Sequence, residues 1–125
     1  MKRLPESELD IMLIIWKRGR AVSVNEILEI INTERELTLS ALHSYMRRLV
    51  EKGFLKCFKK GKQNYYEALV TETEYRQDES GSVLRKLYGG SLKNFVAALY
   101  DSDQITMQDI EEMKEYLDQF GKDGD

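Results

Sequence analysis

The sequence predicts a mostly α protein: an N-terminal winged helix-turn-helix with a two-stranded wing, followed by a C-terminal helical dimerisation domain. Three observations lead there. Apolar residues recur at helical spacing behind hydroxyl-bearing cap signatures along most of the 125 residues. The aromatic, β-prone stretch FLKCF…NYYEALV falls after the third such segment. Charge divides as well: residues 1–70 carry thirteen Lys or Arg against nine Asp or Glu, net +4, whereas residues 71–125 carry six against thirteen, net -7. A basic half joined to an acidic half suits a domain that faces a polyanion and a second domain with another task. The expected boundaries are 1–70 for DNA binding and 71–125 for dimerisation.

The elements follow in order. Ser7 with Asp10 resembles a capping box, and Leu9, Met12, Leu13 and Trp16 form the stripe of a first helix that stops at Gly19. Ser23-Val-Asn-Glu26 repeats the signature before Ile27, Leu28, Ile30 and Ile31. Thr38 is placed to cap a third helix, with Leu39, Leu42, Met46 and Leu49 inward and Gly53 closing it. KKGKQ then reads as the tip of a hairpin. Thr71-Glu-Thr-Glu74 opens a fourth helix through Tyr75, Val83, Leu84, Leu87 and Tyr88, weakened by Gly81 and ended by Gly89-Gly90. Ser91 caps a short fifth helix with Leu92, Phe95, Val96 and Leu99. Thr106-Met-Gln-Asp109 caps the last one, with Ile105 and Ile110 as a hydrophobic staple and Met107, Met113, Leu117 and Phe120 along its stripe. These three helices carry more apolar surface than one layer can bury, so a second copy is the expected partner. Leu84, Leu87, Tyr88, Leu92, Phe95, Val96, Leu99, Ile110, Met113 and Leu117 are the candidate dimerisation residues.

Several classes of function find no support. One cysteine, Cys57, and one histidine, His43, supply neither a disulfide nor a zinc cluster, and no cofactor is expected. Cys57 is read as a small core or junction residue. No apolar run reaches the roughly 20 residues that cross a bilayer, and the amphipathic start shows no secretory signal, so a cytoplasmic location is expected. KKGKQ lacks the length and following hydroxyl of a P-loop, and no nucleophile and base share a pattern. An enzyme is not the expectation.

Positive charge concentrates instead at residues 47–62, RRLVEKGFLKCFKKGK, with seven Lys or Arg against one Glu. On the third helix the outward set is Ser40, Ala41, His43, Ser44, Arg47, Arg48 and Glu51; of these, Ser40, His43, Ser44 and Arg47 share one face at three- and four-residue spacing. That face can meet base edges in a major groove, while Lys59, Lys60 and Lys62 at the hairpin tip suit phosphate contact. Trp16, Tyr65 and Tyr66 are expected to pack the winged domain rather than stack on bases.

PESELDIMLIIW, TLSALHSYMRRLVEKGFL, NYYEALVTETEY and LYGGSLKNFVAALYDSDQITMQDIEEMKEYL, in this order and spacing, resemble the penicillinase repressor family over about residues 4 to 120. That family includes the methicillin-resistance repressors and the copper-responsive transport repressors. The resemblance implies a homodimeric winged-helix repressor on a palindromic, double-stranded operator. In the beta-lactam branch it also implies a membrane sensor-protease pathway that ends in a cut within the dimerisation domain. Thr38 matches the family's hydroxyl at the start of the recognition helix, and Arg48, Leu49, Lys52 and Gly53 match its closing Arg-Leu and Lys-Gly. Ala41 replaces the family's usual threonine and removes a hydrogen bond to base or phosphate. The Asn-Phe pair cut in staphylococcal-type members aligns with Ala98-Leu99, while Asn94-Phe95 stands four residues earlier. YLDQFGKDGD lacks the Cys-x-Cys motifs of the copper branch.

The expected molecule is a dimeric transcriptional repressor, tied to beta-lactam resistance or a related stress response and released by proteolysis of its dimerisation domain. A winged-helix module for an acidic protein partner, or a repressor released by a small molecule, are the alternatives. Salt dependence with sequence preference separates operator binding from the protein-partner reading.

Overall fold

The structure is a computed structural model that describes residues 1–123. In chain order the elements are α1 (Glu6–Arg18), β1 (Val22–Ser23), α2 (Val24–Ile31), α3 (Leu39–Glu51), β2 (Leu55–Lys60), β3 (Gln63–Ala68), α4 (Glu72–Tyr88), α5 (Leu92–Asp101) and α6 (Met107–Asp123). The strands form one antiparallel sheet in the order β1-β3-β2. The mostly α winged-helix class is therefore correct, but the sheet has three strands where the sequence suggested two. Val22 and Ser23 pair with Tyr66 and Tyr65 before Ser23 caps α2. Two residues are too short a run to show an alternating pattern.

Five hydroxyl caps form as their spacing suggests. The side chains of Ser23, Thr38, Thr71, Ser91 and Thr106 accept from the backbone N–H groups of Glu26, Ala41, Glu74, Asn94 and Asp109 at 3.1–3.2 Å. Glu74 and Asp109 accept in return from the backbone N–H groups of Thr71 (2.9 Å) and Thr106 (2.7 Å), completing two reciprocal boxes. Those bonds hold the Glu74 carboxyl below its usual range. The sixth cap fails. α1 starts at Glu6 behind Pro5, whose carbonyl accepts from the Leu9 N–H at 2.9 Å, and no side chain caps it. Ser7 instead lies inside the first turn. Gly19 does end α1, in the left-handed conformation at φ 67° that glycine adopts without steric cost.

The chain divides into two compact units, Met1–Glu79 and the residues from Ser80 onward, with the division inside α4. In the first, Ile11, Met12, Ile15, Val22, Ile27, Leu42, Met46, Leu49, Phe54 and Leu55 are sealed from solvent. The inward stripes differ from expectation at two places: Leu13 is 44% and Leu39 43% exposed. Ile11 and Ile15 fill the α1 side of the core instead. Tyr75 belongs to this core too. Its ring lies 5.8 Å from those of Trp16 and Phe54, its hydroxyl accepts from the Leu4 N–H at 2.9 Å, and the Trp16 indole N–H donates to the Val70 carbonyl at 2.8 Å. The first turns of α4 are thereby fastened to the winged domain.

One charge is buried in that core. Glu8 is 2% exposed and its carboxylate receives the Lys52 ammonium, which joins α1 to the end of α3. Lys52 thus holds the fold rather than offering charge to a ligand.

The second unit is built differently. None of its described residues is buried. α4 runs through Gly81 unbroken, Gly89 and Gly90 turn at positive φ, and α5 and α6 follow their caps. No helix of the described chain is long and apolar enough to cross a membrane.

Candidate nucleic-acid interface

The cap at Thr38 fixes where α3 begins, and burial of Leu42, Met46 and Leu49 fixes which face turns outward. Ser40 and Arg47 are exposed on that outer face, with His43 and Ser44 half-buried between them. Ala41 is half-buried at the helix start, and the Thr38 oxygen is already accepting from its N–H at 3.1 Å. The Thr38 hydroxyl proton remains available to an acceptor.

The two arginines are separated by the helix itself. Arg47 lines a groove of about 350 Å³ with His43 and Val50 on α3 and Cys57 and Tyr66 on the sheet. Arg48 lies on another flank, its guanidinium carbon 5.8 Å from the centre of the Tyr45 ring. A cation over an aromatic face in a solvated setting is worth about 0.5–1 kcal/mol, enough to bias the orientation of a long side chain. Arg47 is thus directed toward the wing side of the helix and Arg48 away from it. Sequence spacing sets Arg47 on the outer face and leaves Arg48 off it, but passes over Tyr45, although Ala41, Tyr45 and Arg48 recur at helical spacing.

Cys57 departs from its expected role. It is exposed, opposite Tyr66 in the β2–β3 register, and lies in the Arg47 groove rather than in the core. Tyr66 is the buried member of that pair, and its phenol is pushed up to about 12 by burial first and by the Cys57 side chain second. Tyr65 stacks on Phe58 with ring centres 6.0 Å apart. Trp16 and Tyr66 therefore pack the domain as expected, while Tyr65 packs across the wing.

The wing turns at Gly61, φ 67°, with Lys60 paired to Gln63 and Lys59 to Asn64. Successive strand residues face opposite ways. Lys59 therefore shares the Cys57 and Tyr66 face, which turns toward the α3 groove, and Lys60 shares the Phe58 face. Lys59, Lys60 and Lys62 are all exposed.

Ion pairing separates the cations of the first unit. Arg3, Arg18, Arg20, Arg35, Lys52 and Arg76 each meet a carboxylate, Arg18 and Arg20 sharing Glu26. Of the seven cations between residues 47 and 62, only Lys52 does so among the described residues. Of the eight cations of this unit without a carboxylate partner among the described residues, six lie on α3 and the wing, and the other two are Lys2 and Lys17. Among the described residues no group of His, Cys, Asp and Glu is placed to hold a metal ion.

The second unit supplies the other set of candidates. Leu84, Tyr88, Phe95, Val96, Leu99, Ile110 and Met113 are half-buried, while Leu87, Leu92 and Leu117 are 70%, 54% and 49% exposed. Tyr88 and Phe95 meet at 5.0 Å between ring centres, and Tyr116 and Phe120 at 4.9 Å. Asn94, Phe95, Ala98 and Leu99, the candidate cleavage region, all lie within α5; Asn94 is exposed and the other three are half-buried.

Comparison with known proteins places this geometry. The chain is 27% identical over 122 residues to the penicillinase repressor of Bacillus licheniformis, covering 95% of this chain and 94% of that protein. It is 28% identical over 114 residues to the methicillin resistance regulatory protein MecI of Mammaliicoccus sciuri, covering 91% and 92%. The solution structure of the DNA-binding domain of the repressor BlaI superposes with a TM-score of 0.52 at 26% identity, over 60% of this chain and 94% of that one. The family profile described as penicillinase repressor matches residues 4–119. The chain belongs to the penicillinase repressor family, whose members are DNA-binding transcriptional repressors and not enzymes.

Proposed function

We propose that the protein is a transcriptional repressor that binds double-stranded operator DNA through α3 and the wing and acts as a homodimer joined through its C-terminal helices. The observation that carries this reading is the concentration of unpaired cations on α3 and the wing. Arg47, Arg48, Lys56, Lys59, Lys60 and Lys62 have no carboxylate partner among the described residues, while the other charged side chains around α1 and α2 include several closed ion pairs. Ser40, His43, Ser44 and Arg47 would face base edges, with the Thr38 hydroxyl and Arg48 on flanking phosphates. Lys59, Lys60 and Lys62 would add backbone contacts that position without specifying sequence.

A two-fold dimer would present two α3 helices to half-sites about one helical turn, roughly 34–36 Å, apart. The exposed leucines of the second unit supply the apolar surface for that association. Family membership supports a role in beta-lactam resistance or a related stress response, with a membrane sensor-protease pathway upstream and release by a cut in the dimerisation region. Asn94-Phe95 and Ala98-Leu99 both lie in a helix without a buried side chain. A helix must open locally before a protease can take its backbone as an extended strand, and few buried contacts make that opening cheap.

The test is selection of random duplex DNA by the purified chain, then anisotropy titration of the winning sequence against a scrambled one at two salt concentrations. A palindromic winner held at least about a hundredfold tighter than the scramble is expected, with affinity falling steeply in salt. Equal binding to both sequences would refute operator recognition.

A further inference from the structure

Arg48 has two possible neighbours along its own helix, and the one it takes decides what it can offer a ligand. Glu51 stands three residues beyond Arg48 and four beyond Arg47, both spacings at which helical side chains meet. Glu51 is exposed, yet it makes no ion pair among the described residues. Arg48 turns the other way, with its guanidinium carbon 5.8 Å from the centre of the Tyr45 ring. Two properties of a helix favour that choice. Long side chains lean toward the N-terminus, which brings Arg48 back over residue 45 rather than forward onto Glu51. A cation that precedes its carboxylate is also the weaker order for a helical ion pair.

Tyr45 is itself held in place, because its ring is half-buried and packs against the core of the first unit. Arg48 therefore rests on a fixed surface. A side chain ordered before binding loses less rotamer freedom when it binds. The kind of neighbour matters as much as the order it imposes. An aromatic face attracts a guanidinium without accepting its in-plane N–H groups, whereas an ion pair with Glu51 would consume them. Two parallel N–H donors suit the oxygens of a phosphate.

We propose that Tyr45 is a positioning residue: its ring holds Arg48 off Glu51 and presents the guanidinium, with its donors free, to a phosphate of the operator backbone. The phosphate contact rests on the repressor reading above; the Tyr45–Arg48 contact does not. Thr38, Ala41, Tyr45 and Arg48 follow one another at three- and four-residue spacing, so they mark one flank of α3. Thr38 and Arg48 stand at its two ends, about 15 Å apart along the axis, too far to share one phosphate. This flank thus carries two separate backbone contacts, of which the one at Arg48 depends on Tyr45.

A double-mutant cycle tests this on the duplex selected above, with affinity read by anisotropy. Arg48→Ala is expected to weaken binding about tenfold and to lower the salt slope by about 1. Tyr45→Leu, which keeps apolar packing but removes the ring, is expected to weaken binding about 2–5-fold, the equivalent of an exposed cation–π contact. Tyr45→Phe keeps the ring and is expected to bind as the wild type does. In the Arg48→Ala background, Tyr45→Leu is expected to cost nothing further, a result that a merely structural role would not give. Equal losses in both backgrounds, or a loss in Tyr45→Phe as large as in Tyr45→Leu, would overturn the positioning role. Without DNA, ring current is expected to place the Arg48 δ-methylene resonances upfield of those of Arg47 in the wild type and in Tyr45→Phe, and Tyr45→Leu is expected to abolish the shift. An unshifted Arg48 in the wild type would overturn the contact whether or not Tyr45→Leu folds. A shifted Arg48 in a protein that selects no duplex would instead overturn the phosphate contact together with the repressor reading.

Discussion

The two units of this chain solve the burial of apolar residues in opposite ways. In Met1–Glu79, helices and sheet close over a core whose side chains are shut off from water. From Ser80 onward the rest of α4 and two capped helices, α5 and α6, follow, yet none of the described residues is buried, and Leu87, Leu92, Met107, Leu117 and Phe120 remain about half exposed or more. Secondary structure is equally regular in both. The difference shows that capping and periodicity are enough to form helices, whereas a core requires a second layer. In the first unit that layer is within the chain. In the second, the apolar surface left open is the chemical reason to expect another copy.

The strongest way to break this comparison is to make the open surface polar. Leu92→Asp combined with Leu117→Asp should yield a monomer and weaken operator binding about 10²–10⁴-fold, because the second half-site contact ceases to be intramolecular. The melting of the winged domain should stay unchanged, and sedimentation with anisotropy checks both. Next in size is the closed core. Glu8→Ala leaves the Lys52 ammonium without its carboxylate and should cost about 3 kcal/mol of stability by denaturant unfolding. Glu8→Gln, which keeps the shape and a hydrogen-bond acceptor, should cost less.

Smaller changes sharpen the division of labour within the first unit. Arg47→Ala should cost about 1–3 kcal/mol of operator binding and relax preference at one or two base pairs, whereas Lys60→Ala should weaken all sequences alike and lower the salt slope by about 1. The smallest effect concerns Tyr66. Its phenol titrates at about 12 against an ordinary 10.0, so the folded state holds that proton more tightly than the unfolded chain. The resulting stability is fully present below pH 10 and is lost as pH rises from 10 toward 12. Cys57→Ala should lower the Tyr66 value, read by phenolate absorbance, because the thiol is the second cause of the shift after burial.

How far the sequence discloses this molecule depends on the range of each interaction. Ser23, Thr38, Thr71, Ser91 and Thr106 bond three residues ahead, and all five caps are legible from spacing alone. Pro5 hides the start of α1 because a cap without a side-chain bond leaves no hydroxyl signature. The two-residue β1 gains its identity only from β3, more than forty residues away. Glu8 and Lys52 are 44 residues apart and look like ordinary surface charges until the fold joins them. Leu13 and Leu39 show the limit of periodicity: each stands at the margin of an apolar stripe, and packing partners decide which side of the margin is covered. At the candidate site, the outer face of α3, with Arg47 on it and Arg48 off it, is readable from helical spacing, but what each arginine meets depends on Tyr45 and on the sheet beneath.

The division between a self-sufficient winged domain and an incomplete C-terminal layer is tested most directly by sedimentation equilibrium of the full chain beside a fragment of residues 1–79, with unfolding of each followed by circular dichroism. The account predicts a dimeric full chain and a monomeric fragment that still unfolds cooperatively. A monomeric full chain, or a fragment without a cooperative transition, would contradict it.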